Sequence, residues 1–209
     1  MSYESRLVHK PWGFEYQVYR NSDLVIWFLT INKDQETSLH CHSNKDTGLI
    51  ALEGKGELEF LSSSHGFSSP YKTMIRRGIF HRTKAVGGPV KLFEVETSGD
   101  RHDLIRLSDS YNRESKDYEA GQDYETEKLD FDSEGVQSFC GRQLEIKLIS
   151  SKESLEDLYQ HNILVFLTGG IFTSSDLRVL KPGDIISGNV LKKLVARFTV
   201  IPSKIMVVK

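Results

Sequence analysis

His40 and His42 stand two residues apart in the stretch "SLHCHSNKDTGLIALEGKGE" (Ser38 to Glu57). On a strand, side chains two apart share a face, so both imidazoles project to the same side. Neutral imidazole suits Zn, Fe, Mn and Ni, and three or four such ligands make a site. His81, in "RRGIFHRT", follows a glycine turn and opens another strand-like segment. A neighbouring strand can therefore bring a third imidazole to the pair. The plain alternative is that each histidine is a hydrogen-bonded packing residue.

The elements around these residues are short apolar runs. "DLVIWFLTIN", "GLIALEG", "GELEFL", "PVKLFEVET", "NILVFLTGG" and "KIMVV" are each of strand length. They are rich in Val, Ile, Leu and Phe and punctuated by Gly, Asn, Asp and Pro. Their tight spacing predicts an all-β barrel or sandwich. A single short helix is expected near Ser150, with Ser150 as cap, Glu153 closing a capping box, and Leu155, Leu158 and Tyr159 at helical spacing. Residues 114 to 135 are acidic and poor in aliphatic side chains, and read as a connector with at most one short strand. The second half repeats the strand–Gly–strand rhythm of the first but lacks its histidines, His161 excepted.

The chain has 209 residues, 38% hydrophobic and 27% charged, with a formal net charge of −2. That balance gives no basic bias towards nucleic acid and no acidic docking tail. Two cysteines, Cys41 and Cys140, make no disulfide framework. No signal peptide is read at "MSYESRLVHKPWG", and no apolar run approaches the roughly 18 residues that span a bilayer. A reducing cytoplasm is the expected setting.

The order His40, His42, Thr47, Gly54 resembles the first motif of the cupin superfamily, and "GIFH" with His81 resembles the end of the second. The resemblance implies a double-stranded β-helix, the cupin jelly roll, holding a divalent metal (Zn, Fe, Mn or Ni). Thr47 stands where that motif has its Glu ligand, Arg76 where the second motif has Pro, and Ala85 where it has Asn. A hydroxyl is a poor ligand, and Asp46 should point to the other face unless the strand bulges. What is left is a three-histidine site with open coordination positions, the mark of catalytic metal sites.

A narrower resemblance runs over residues 10 to 113. Lys10-Pro11-Trp12-Gly13, Glu94-Val95-Glu96-Thr97, Asp103-Leu104-Ile105-Arg106 and Tyr111-Asn112-Arg113 are similar, in order, to motifs of the cupin domain of type II mannose-6-phosphate isomerases. That branch implies a sugar phosphate or sugar nucleotide as the small-molecule partner, and isomerisation between aldose and ketose. A metal would polarise the carbonyl and a base would move the proton. Glu94 and Glu96 share a strand face, so either can be that base, unless the face is solvated. Phosphate needs donors, and guanidinium binds it with two parallel bonds. Lys45, Arg76, Arg82, Arg106 and Arg113 are the candidates, Arg113 foremost because it matches an Arg of the branch.

The expected organisation is a bicupin: a metal-site domain over residues 1–115, an acidic connector over 116–135, and a degenerate, metal-free cupin-like domain over 136–209. No nucleic-acid or membrane partner is expected. An edge strand borrowed between copies would make a homodimer. Two readings compete with the isomerase: a three-histidine iron dioxygenase, and a non-catalytic small-molecule-binding barrel.

Overall fold

The computed structural model describes residues 6–97, 103–113, 122–123, 126–127 and 129–209. Nine of the twenty residues of the expected connector, 116–135, thus lie outside the described residues. The chain divides into two units, one of residues 1–21 and 25–128, the other of 22–24 and 129–209.

The first unit begins with a hairpin of β1 (Arg6–Lys10) and β2 (Gly13–Arg20). Eight strands follow: β3 (Val25–Ile31), β4 (Leu39–Cys41), β5 (Thr47–Glu53), β6 (Lys55–Phe60), β7 (Ser64–Ser68), β8 (Tyr71–Ile75), β9 (His81–Ala85) and β10 (Val90–Glu96). Two further strands are β11 (Ile105–Ser108) and β12 (Gln122–Asp123). They form a seven-stranded sheet, β12-β1-β2-β3-β10-β5-β8, and a five-stranded sheet, β11-β4-β9-β6-β7.

Within these sheets the pairing is nested. β3 pairs β10, β4 pairs β9, β5 pairs β8 and β6 pairs β7, all antiparallel. A long hairpin rolled into two facing sheets gives this order, and it defines a jelly roll. The expected all-β double-stranded β-helix is therefore the fold of the first unit.

Burial explains why the strands roll. On β3, Val25, Trp27, Leu29 and Ile31 alternate onto one face and join Leu49, Leu58, Val90 and Leu92 in a core cluster. The alternate residues Ile26 and Phe28 are also buried, as are Phe93 and Val95 on β10. Strands buried on both faces read as continuous apolar runs, which is how "VIWFLTI" reads.

Gly54 links β5 to β6 at φ 93°, and a Cβ there would lie 2.3 Å from the Pro89 carbonyl oxygen. Only glycine takes that backbone without strain. Gly54→Ala is expected to cost at least about 2 kcal/mol in urea unfolding, since backbone strain alone costs about 1–3. A midpoint equal to wild type would contradict this.

The second unit contains β13 (Gly135–Phe139), β14 (Arg142–Ile149), β15 (Ile163–Phe172), β16 (Arg178–Leu180), β17 (Ile185–Ile186) and β18 (Thr199–Val208). Among the described residues they form one antiparallel sheet, β13-β14-β18-β15-β16, with β17 also on β15. Helix α1 (Gly188–Val195) sends Leu191 and Val195 into the core, beside Leu164, Phe166, Ile205 and Val207. The expectation of a single short helix does not cover α1, whose N-cap residue Ser187 makes no side-chain cap.

The helix expected near Ser150 is a 3₁₀ helix over Glu153–Leu158, with Lys152 at its N-cap and no side-chain cap. Its buried residues, Leu155 and Leu158, lie three apart. Three residues per turn put both on one side.

Candidate metal centre

The two sheets bring the histidines together from residues far apart in the chain. His40 lies on β4, and its strand partner on β9 is His81. On the other side of β4, Arg106 of β11 is the partner of His40. Arg106, His40 and His81 therefore form a row across one sheet. Cross-strand partners share a face, and all three line the same cavity. His42 continues past the end of β4 on the same side. Ring centroids are 5.0 Å apart for His40 and His42, 4.6 Å for His40 and His81, and 5.9 Å for His42 and His81.

The facing sheet supplies carboxylates. Leu92, Glu94 and Glu96 alternate along β10 and line the cavity. One ligand atom from each of His40, His42, His81 and Glu94 lies within 4.8 Å of the others, a group that could hold a metal ion.

Each imidazole is held through the same ring nitrogen. Nδ1 of His40 meets the Ser38 carbonyl oxygen at 2.8 Å and Nδ1 of His81 meets that of Ile79 at 3.0 Å. Nδ1 of His42 bonds the Asp103 carbonyl oxygen. A carbonyl only accepts, so Nδ1 must carry the proton and donate it. In a neutral ring the lone pair is then on Nε2. Nε2 of His42 and of His81 is buried and has no hydrogen-bond partner among the described residues. A backbone carbonyl on the distal nitrogen is how proteins orient metal-binding histidine.

The rings are also held neutral. Burial pushes His40 well below its usual value, helped by the neighbouring His81 and His42. Burial lowers His42, with Lys45 beside it. Burial takes His81 down to about 4, against the opposing hydrogen bond to Ile79. Neutral imidazole is the form that ligates.

Asp103 fixes the loop that carries His42. Its carboxylate accepts from the Ser43 and Asn44 backbone N–H groups and from the Ser43 hydroxyl. The sequence offers "DLIR" for this residue but no sign of its bond to the distant histidine loop.

Thr47 points inward, opposite Glu96 in the β5–β10 register, and its buried Oγ1 has no hydrogen-bond partner among the described residues. Asp46 offers no substitute. Its oxygens accept from Arg76 Nη1 and from the Arg77 backbone N–H, each at 3.1 Å.

The cavity measures about 710 Å³, counting its open mouth. Trp12, Leu29, Ile31 and Leu104 give it an apolar wall, and Lys10, Lys45, Arg106 and Arg113 line it as well. Lys45 Nζ lies 2.6 Å from Glu96 Oε1, with both side chains buried. Glu96 Oε1 is in turn 3.9 Å from His42 Nε2.

Two of the expected substrate residues lie elsewhere. Arg82 follows His81 on a strand, so alternation sends it to the opposite face, where Glu59 and Glu36 hold it at 2.8 and 2.7 Å. Arg76 is more than half exposed and pairs with Asp46. Neither lines the cavity.

Arg113 does line it, but its guanidinium is held by Asp109 through Nε at 3.0 Å and Nη2 at 2.7 Å. Burial would raise the Asp109 carboxyl, yet the Arg113 hydrogen bonds outweigh it and lower it. A lowered carboxyl stabilises the fold above its unfolded pKa near ~3.9 and ceases to do so as pH falls through the folded value. Wild type is thus expected to exceed Asp109→Asn in urea midpoint at about pH 6, with the gap closing towards about pH 3. A gap that persists unchanged in acid would contradict the pairing.

No family model matches the sequence, and no curated protein matches it. Solved structures are similar to parts of it. A double-stranded β-helix protein from Klebsiella pneumoniae is 15% identical over 46% of this chain and 84% of that one, with a TM-score of 0.42. A cupin-2 domain protein from Shewanella frigidimarina is 18% identical over 43% and 84%, with a TM-score of 0.38. The capsular polysaccharide assembling protein CapF from Staphylococcus aureus is 14% identical over 52% and 34%, with a TM-score of 0.46. These likenesses concern fold, and the assignment of the first unit rests on its own strand order. No described helix is long and apolar enough to cross a membrane.

Proposed function

We propose that the first unit is a metal-dependent enzyme acting on a sugar phosphate with a free reducing end, with aldose/ketose isomerisation as its reaction. The observation that carries this reading is the set of inward-facing Nε2 atoms on a cavity that also holds a separate, lysine-paired carboxylate. His40, His42 and His81 would hold a divalent ion. Such an ion supplies Lewis-acid polarisation of a carbonyl and stabilises negative charge on its oxygen.

The chain's own residues supply the rest. Glu96 takes the proton from the carbon beside the carbonyl and returns it to the carbonyl carbon, while the hydroxyl proton on the neighbouring oxygen passes to the former carbonyl oxygen, so that the carbonyl moves by one carbon. Lys45, at 2.6 Å, fixes the orientation of that carboxylate. Arg106 and Lys10 orient the phosphate end, and the apolar wall at Trp12, Ile31 and Leu104 keeps water from the reacting carbons. Holding base and carbon in one geometry is itself a large part of such a rate enhancement.

The test uses deuterium. Metal-loaded protein in D₂O, given a panel of aldose and ketose phosphates, is expected to exchange the proton at C1 or C2 of one of them. Proton NMR reads the lost signal. Glu96→Gln should slow exchange by about 10²–10⁴-fold, the usual worth of a positioned base. No exchange with any member of the panel would overturn the isomerase reading.

A further inference from the structure

We infer that Glu94 is the fourth ligand of the metal centre and that Glu96, its neighbour on the same strand face, is not. This rests on the metal reading proposed above and assigns each carboxylate one task.

The two residues are alike in type, strand and direction, since Glu94 and Glu96 both project from β10 into the cavity. They differ in what surrounds them. A Glu94 carboxylate oxygen lies within 4.8 Å of ligand nitrogens from all three histidines. Glu96 is not in that group, and its Oε1 lies against the ammonium of Lys45 at 2.6 Å. An ion drawn to Glu96 would have to approach that buried ammonium, whose repulsion is strong in a low-dielectric interior.

The nitrogens point the same way. The buried Nε2 atoms of His42 and His81 lack a hydrogen-bond partner among the described residues. A buried polar atom left unsatisfied costs about 1–3 kcal/mol, and three preset lone pairs converging with one carboxylate satisfy a cation's needs. Three neutral imidazoles and one carboxylate also leave a divalent ion with net positive charge, suited to an anionic substrate. Binding this ligand from β10 accounts for the hydroxyl at Thr47 on the adjacent strand: no carboxylate is required there.

Zinc affinity of the full chain, measured by competition calorimetry, tests the assignment. Cobalt(II) absorption gives a second readout of coordination. Glu94→Gln should weaken zinc by at least about tenfold, at or beyond the range found for residues that merely support ligands, and should shift the cobalt bands. Glu94→Asp, which keeps a carboxylate, should recover part of the affinity, and circular dichroism should show each variant folded. The double variant Lys45→Met/Glu96→Gln, which removes the paired charges together, should bind zinc no more than about threefold more weakly than wild type, with an unshifted cobalt spectrum. Wild-type affinity in Glu94→Gln, or an equal loss in Lys45→Met/Glu96→Gln, would overturn the assignment and leave the three-histidine site standing. Failure of wild type to bind zinc or cobalt would instead overturn the metal reading beneath it.

Discussion

His81→Ala is expected to abolish metal retention while leaving a folded β protein. His81 opens β9 directly opposite His40, so its ring reaches the site with no flexible link. Its Nδ1 is committed to the Ile79 carbonyl oxygen, which aims Nε2 inward. Removing it takes away one nitrogen ligand, and nothing else on β9 can replace it, since Arg82 faces the other way. The loss of affinity should exceed about 100-fold, more than supporting residues are worth. The barrel should survive, because the core cluster of Trp27, Leu29, Ile31, Leu58 and Leu92 does not include the ring. Elemental analysis after dialysis, with far-ultraviolet circular dichroism alongside, checks both halves. Wild-type metal content in the variant would remove His81 from the site. His40→Ala should behave alike.

Lys45→Met is expected to destabilise the metal-free protein by about 3–5 kcal/mol, the usual consequence of stranding one member of a buried ion pair. The side chains of Lys45 and Glu96 are 2% and 6% exposed, at 2.6 Å. Methionine keeps the length and apolar stem of lysine, so the loss reports the charge rather than the packing. The double variant Lys45→Met/Glu96→Gln removes both charges and should recover much of the stability. Urea unfolding of the four proteins closes the cycle. A single variant as stable as wild type would mean that the pair is solvated in solution.

Much of this site was legible before the structure, and the legible parts share a cause. His40 and His42 are related by the two-residue period of a strand, which is local. The all-β class followed from apolar runs of strand length. The inward course of Glu94 and Glu96 was open, because Phe93 and Val95 make the opposite face of β10 apolar, and a sheet commonly turns such a face to the core and its charges to solvent. Here Phe93 and Val95 are buried and the glutamate face lines the cavity as well. The convergence of Glu94 with the histidines depends on two sheets facing each other, which no local pattern encodes.

Arg76 and Arg82 were drawn in by nearness along the chain, and strand alternation and nearby carboxylates place them outside. Arg113 lay in a matching motif, but its partner Asp109 was not part of that pattern. The carbonyls of Ser38, Ile79 and Asp103 that fix the rings are backbone atoms and carry no side-chain signature at all. The same holds for the 3₁₀ helix at Glu153–Leu158. Leu155 and Leu158 are three apart, a spacing that α and 3₁₀ helices both allow over so short a run.

The most direct test of the centre is long-range proton–nitrogen NMR of the imidazole rings, recorded with and without zinc. The expected result is that His40, His42 and His81 carry the proton on Nδ1 before any metal is added, and that one equivalent of zinc shifts all three Nε2 resonances to the coordinated range together. His9, His65 and His161 should not move. Rings protonated on Nε2, or three Nε2 resonances unchanged by zinc, would contradict the preset three-nitrogen site.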